Sequence, residues 1–230
     1  MNNVAAIFKK QLKDTLKNKT VLIQFLMFPV LTLIMNRSVR IDGMPEHFFV
    51  KMFATMYIGM APLTSIAAII AEEKEKNTLR VLLMSNVKPY EYLLGIGSYI
   101  WAACMLGALV ICASSDYNAR EALIFMTIMA FGILASLLIG AAVGIFSKTQ
   151  MMATSITVPV MMIFSFLPML SMFNSTIAKI AKFVWSEQIS RLLEQINTRQ
   201  FGISSIGIVL INMLVFAALF AAAYQKRGLE

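Results

Sequence analysis

"AEEKEKNTLRVLLMSNVKPYEYLLG", residues 71–95, interrupts an otherwise oily chain, and its reading decides the fold. Apolar stretches long enough to cross a bilayer lie on both sides of it. Inside it Glu72, Glu73, Lys74, Glu75 and Lys76 stand in a row. Charge at that density is expelled from hydrocarbon, so the segment marks a membrane surface and its neighbours are spans. The residues after the charged run are no plain linker. Leu79, Leu82 and Leu83 recur at i, i+3 and i+4, Val87 closes the run, and Arg80 and Lys88 lie off that face. Thr78 is placed to cap a helix N-terminus. Pro89, Tyr90 and Tyr92 mark the return to the membrane. The spacing predicts a short surface helix, either packed on its own bundle or slotted into a groove on a soluble partner.

The rest of the chain agrees with a membrane reading. It has 230 residues, 59% hydrophobic, with mean hydropathy +0.75 and 14% charged; soluble domains carry roughly 25% charge. These values predict an all-α polytopic membrane protein forming a single domain over residues 1–230. Apolar runs at about 20–36, 48–71, 91–113, 121–147, 151–173 and 203–224 predict six transmembrane helices. Residues 1–19 predict an interfacial helix. Val4, Ile7, Phe8, Leu12 and Leu16 form its apolar side, and Lys9, Lys10, Lys13 and Lys17 supply a basic side for an anionic leaflet. No cleavable signal is read there. Between spans five and six, residues 174–202 predict two short outer helices, with Trp185 at headgroup depth. With the N-terminus inside, most of the 20 Lys and Arg fall on the inner side, five lysines before the first span among them. Both termini are therefore expected in the cytoplasm.

Several function classes are disfavoured. The net charge of +8 is read as basic residues at span ends, because no aromatic-plus-basic nucleic-acid module is present. Cys104 and Cys112 lie within one span and have no metal-site spacing. No Asp, Glu, Lys, Arg or His falls within 52–71, 92–113, 122–147, 151–173 or 203–224, where an ion-coupled transporter usually keeps one. His47 is the single histidine, which excludes H-E-x-x-H zinc chemistry. Glu72-Glu73 is similar to the E-E-x-x-x-R start of CAAX-type proteases, but Asn77 stands at the arginine position. No G-x-S-x-G elbow occurs, and no glycine precedes lysine as a P-loop requires. The chain is expected to be no enzyme and to bind no cofactor itself. Any work done with ATP needs another polypeptide.

Three patterns inside the spans have two readings each. Gly132, Ser136, Gly140 and Gly144 form a small-residue stripe at i, i+4 steps, suited to close helix packing within one subunit or at a dimer seam. Pro159 and Pro168 make span five a candidate hinge and pathway wall, or a statically kinked helix. Methionines 151, 152, 161, 162, 169 and 172 in or beside that span suit a greasy path or ordinary gap-filling.

The segment Glu73 to Val87, EKEKNTLRVLLMSNV, resembles the coupling segment of type-2 ATP-binding-cassette (ABC) permeases, E-x-E-x-G-T-L-x-x-L-L-x-[ST]-P-[VI]. Glu73, Glu75, Thr78, Leu79, Leu82, Leu83, Ser85 and Val87 match. Asn77 stands where glycine is common and Asn86 where proline is common, with Pro89 three residues on. The order of elements matches over the whole chain. The resemblance implies a membrane subunit in a bacterial plasma membrane, pairing with a separate cytoplasmic ATPase that carries ATP and Mg, and with a second permease subunit, identical or homologous. It implies ATPase docking through Glu73, Glu75, Thr78, Leu79, Leu82, Leu83 and Val87. The uncharged spans lead us to expect export of an amphiphilic or apolar cargo such as a drug, a lipid-like molecule or a peptide. The alternatives are small-ion efflux and a non-transporting immunity or sensor protein working by association.

Overall fold

The computed structural model describes residues 3–39, 43, 45–196 and 201–227, without the side chains of residues 19–21, 83 and 227. Of the expected features, the Leu83 side chain and the basic groups of Lys19, Arg40, Arg199 and Arg227 lie outside that description.

Among the described residues the chain is helical throughout, with no strand. The elements are α1 (Asn3–Lys17), α2 (Lys19–Ser38), α3 (Phe48–Glu75), α4 (Thr78–Met84), α5 (Pro89–Ala113), α6 (Ala119–Phe146), α7 (Gln150–Phe173), α8 (Ser175–Ala181), α9 (Trp185–Glu194) and α10 (Ile203–Arg227). Five of them, α3, α5, α6, α7 and α10, are long and apolar enough to cross a membrane. The α1–α2 pair, bent by 70°, brings the number to six if it is counted as one broken span.

The bundle is organised around α3. Its most apolar stretch is 83% buried, against 17% for α7 and 11% for α10. Such a helix can be surrounded only if its neighbours approach closely, and glycine makes that possible. A Cβ on Gly140 of α6 would lie 2.5 Å from the Leu63 carbonyl oxygen, and one on Gly144 would meet Ala67 and Ile70 at 3.0–3.1 Å. Gly132 faces Ile58 of α3, and Ser136 is fully buried in the same row. The small-residue stripe is thus the seam between α6 and α3 of one subunit, where dispersion replaces the hydrophobic effect as the adhesive. Two further sides of α3 close in the same way. Gly107 of α5 leaves room for the Tyr57 ring, and Gly59 of α3 admits the backbone of Ser165 on α7.

Helix ends follow local chemistry. Asn118 caps α6 by accepting from the amides of Arg120 and Glu121, and Glu121 accepts from the Asn118 amide in return. Thr149 and Asn174 cap α7 and α8. Pro89 opens α5 at its first position, where the missing N–H costs nothing. Both ends of α4 are set by left-handed asparagines, Asn77 (φ 55°) and Asn86 (φ 66°). At position 77 asparagine does what the more usual glycine would do. At position 86 the chain terminates differently from the proline pattern, because proline cannot adopt positive φ.

Three local expectations are corrected. Thr78 does not cap α4; it lies in the first turn and its hydroxyl donates back to the Glu73 carbonyl at 3.1 Å. Trp185 is not at a surface. It is fully buried and packs on Phe164 of α7, ring centroids 5.6 Å apart. Its helix α9 buries Ser186, Glu187, Ile189, Leu192 and Leu193 as well, so it turns back into the bundle. The apolar side of α1 is split. Ile7 and Phe8 pack on Gly95 and Tyr99 of α5, whereas Leu12 and Leu16 stay exposed. The buried row of α1 is Ile7, Gln11 and Thr15.

Candidate functional site

At the end of the bundle that carries α4, each charge of the 72–76 run has a partner within the chain. Glu73 is buried and pairs with Lys10 of α1, and it also accepts from Gln11 Nε2 at 2.9 Å. The Glu73 carboxylate also lies beside the buried Tyr92 hydroxyl of α5. Lys74 Nζ donates to the Ile145 carbonyl at 2.7 Å, in the last turn of α6. Glu75 accepts from the Gln150 amide at 2.7 Å, at the first residue of α7. Glu72 pairs with Lys76 one turn on, and this bond raises the Lys76 ammonium above its ordinary range.

The signs of two of these contacts are meaningful. A helix C-terminus carries partial negative charge and an N-terminus partial positive charge. Lys74 sits on the first and Glu75 on the second, so consecutive residues of α3 grip both ends of the tight α6–α7 turn. Glu73, on the preceding position, grips α1. Asn3 Nδ2 donates to Glu91 at the start of α5, 2.9 Å away, which fixes the other end of α1. Displacement of α3 at this end therefore pulls on α1, α6 and α7 through directional bonds.

α4 hangs directly from this clamp. Leu79 is 1% exposed and anchors α4 to its own bundle, and Leu82 and Val87 are half-buried. Val81 is 62% exposed and Met84 80% exposed, a pair at i, i+3 on the open side. Of the residues expected to touch a partner, Glu73 and Leu79 thus face inward and Glu75 is engaged with α7. Thr78 is exposed with its hydroxyl turned to Glu73. Among the described side chains of α4 the open apolar contacts are Val81 and Met84, which the leucine spacing did not single out. The signal was present: both are apolar residues on a short helix otherwise flanked by charge.

Pro159 and Pro168 lie within one uninterrupted helical element, α7, where each removes a backbone hydrogen bond. Pro159 is exposed and Pro168 buried. At the opposite end of α3, Pro168 lines a cavity with residues of α3, α7 and α9. Among the described residues no cluster of His, Cys, Asp or Glu could hold a metal ion.

One long buried helix, apolar helices packed round it by glycine seams, and a polar clamp carrying a short helix at one end define a multi-pass α-helical membrane protein. A family model described as ABC-2 family transporter protein matches residues 2–224, and the chain belongs to that family: it is an ABC-2 type permease. Compared with curated individual proteins, the chain has no match.

Proposed function

We propose that this chain is the membrane subunit of an ATP-driven exporter, coupled through α4 to a separate cytoplasmic ABC ATPase that carries ATP and Mg. In this reading both termini and α4 face the cytoplasm of a bacterial cell, and a second permease subunit completes the assembly. The observation that carries it is the position of α4: an apolar pair, Val81 and Met84, held open to solvent on a helix hung from the Glu73–Lys74–Glu75 clamp.

The division of labour is physical. Val81 and Met84 enter a cleft on the ATPase, each burial contributing about 1.5–3 kcal/mol before the cost of association. Leu79 holds α4 to the bundle. The clamp passes the displacement to α1 and to the α6–α7 turn, and α7 yields at Pro159 and Pro168. The exposed row Val158, Met162, Phe166 and Leu170 on α7 is the surface offered to the second permease subunit. The cargo is amphiphilic or apolar.

The test is co-expression of the chain with its genomic neighbours and purification through a tag on this chain. A co-purifying P-loop ATPase that Met84→Asp releases, while the variant remains folded, supports the reading. A chain that purifies without an ATPase under all nucleotide conditions overturns it.

A further inference from the structure

At the end of the bundle opposite α4, the first turns of α3, the last turns of α7 and the helix α9 enclose a cavity of about 270 Å³. Its lining is divided. Lys51 of α3 and Glu194 of α9 supply opposite charges, with Thr55, Ser165 and Ser190 beside them. Met52, Met56, Met169 and Met172 supply thioethers. The two α3 methionines are four residues apart and the two α7 methionines three apart, so each pair shares one face of its helix. Met56 is buried, and Met172 is 55% exposed, so the apolar side opens outward along α7.

The charges are the informative part. Lys51 and Glu194 sense each other electrostatically, yet they form no ion pair within 4.0 Å. The neighbouring acid of α9 is already satisfied: Glu187 binds Arg191 at 2.9 Å and accepts from Ser171 Oγ at 2.7 Å. Lys51 and Glu194 are therefore a cation and an anion that face one cavity and leave a gap between them. Lys51 is half-buried and Glu194 is exposed, so both charges stand at the polar mouth of the cavity where a ligand can reach them. A ligand bearing both charges on one head makes charge-assisted bonds at each end. Flexible thioethers then accommodate a tail of variable shape.

We propose that this cavity binds a zwitterionic amphiphile, its acidic group on Lys51, its amine on Glu194 and its apolar part along Met52, Met56, Met169 and Met172. As a cargo site this rests on the exporter reading; as a binding site it stands on the cavity alone. The ligand chemistry has two sources, a membrane lipid with an ethanolamine phosphate head or a short apolar peptide with free termini.

The purified chain in a maltoside detergent is titrated with lysophosphatidylethanolamine and with a trileucine peptide, and compared with lysophosphatidylglycerol and monoacylglycerol. Binding is read by isothermal calorimetry and native mass spectrometry. No ATPase is needed, so failure here is separable from failure of the exporter reading. The expected result is that one zwitterionic probe binds tighter than both lipids lacking the amine, and which one binds identifies the source. Lys51→Met and Glu194→Gln should each weaken it by roughly tenfold to a hundredfold, the range of a charge-assisted bond. Affinity that does not distinguish the headgroups overturns the proposal in the native chain without recourse to a variant. So does zwitterion binding that neither substitution changes.

Discussion

The seam between α3 and α6 makes a sharp quantitative prediction. In Gly140→Ala the new methyl would lie 2.5 Å from the Leu63 carbonyl oxygen, 2.6 Å from Ile66 Cγ2 and 2.9 Å from Leu63 Cα. Two of those three atoms are backbone and cannot swing aside. Relief requires the helices to separate along a row that also holds Gly132 and Gly144, with loss of dispersion contacts. Overpacking of this kind costs about 1–3 kcal/mol. Alanine's better helix propensity returns about 1 kcal/mol, so a net loss of up to about 2 kcal/mol is expected. Gly97→Ala in α5 is the control, since nothing lies within 4 Å of its added Cβ and the propensity gain stands alone. The two substitutions are chemically identical, so the propensity gain cancels and Gly140→Ala should be less stable than Gly97→Ala by the overpacking cost, about 1–3 kcal/mol. Unfolding of the detergent-purified variants, followed by tryptophan fluorescence against rising dodecyl sulfate, measures the difference. If Gly140→Ala is as stable as Gly97→Ala, the α3–α6 seam is not packed as described.

Other consequences are independent of that seam. Asn77→Gly should leave stability unchanged, whereas Asn77→Val, a β-branched residue at positive φ, should cost about 1–2 kcal/mol in the same unfolding assay. Lys74→Gln together with Glu75→Gln removes the grip on the α6–α7 turn but leaves Val81 and Met84 in place. In reconstituted vesicles the ATPase should still be captured, while transport per ATP hydrolysed falls several-fold; unaltered coupling would assign the clamp a static role. Glu194 gives a pH signature. Burial, then neighbouring Glu187, raises its carboxyl above the ordinary range, against the pull of Lys51 and Arg191. A raised value means the native state holds this proton more tightly than the unfolded chain does. Its stabilising contribution is present at low pH and is lost as pH rises through that value. Glu194→Gln should therefore lose less stability than the native chain between the ordinary carboxylate range and neutrality, measured as unfolding midpoints across pH.

Much of the architecture was legible in residues alone, for a reason specific to membranes. Hydrocarbon admits only segments that satisfy their own backbone, so apolar length reports helices directly. The runs at 48–71, 91–113, 121–147, 151–173 and 203–224 appear as α3, α5, α6, α7 and α10, and asparagine at 77 supplies the left-handed turn that glycine supplies elsewhere. The pattern from Glu73 to Val87 pointed to the family whose model spans residues 2–224. Periodicity does not carry which side of an element faces the chain and which faces outward. Leu79 and Leu82 share a face by spacing, yet Leu79 is buried in the bundle, and among the described side chains of α4 Val81 and Met84 are the open contacts. Trp185 looked like a headgroup anchor because tryptophan favours that zone, but a bundle can bury the same ring, and only packing distinguished them. The charges of 72–76 announced a surface without naming their partners. Lys74 meets α6 and Glu75 meets α7 through residues 71 and 75 positions away in sequence, and Lys51 of α3 shares a cavity with Glu194 on a helix the chain reaches only after α5, α6 and α7. Local sequence determined the helices and their ends, because those depend on neighbours within a turn or two. Tertiary structure alone decided the clamp, the seam and the charged cavity, because each is made by residues that share nothing until the bundle closes.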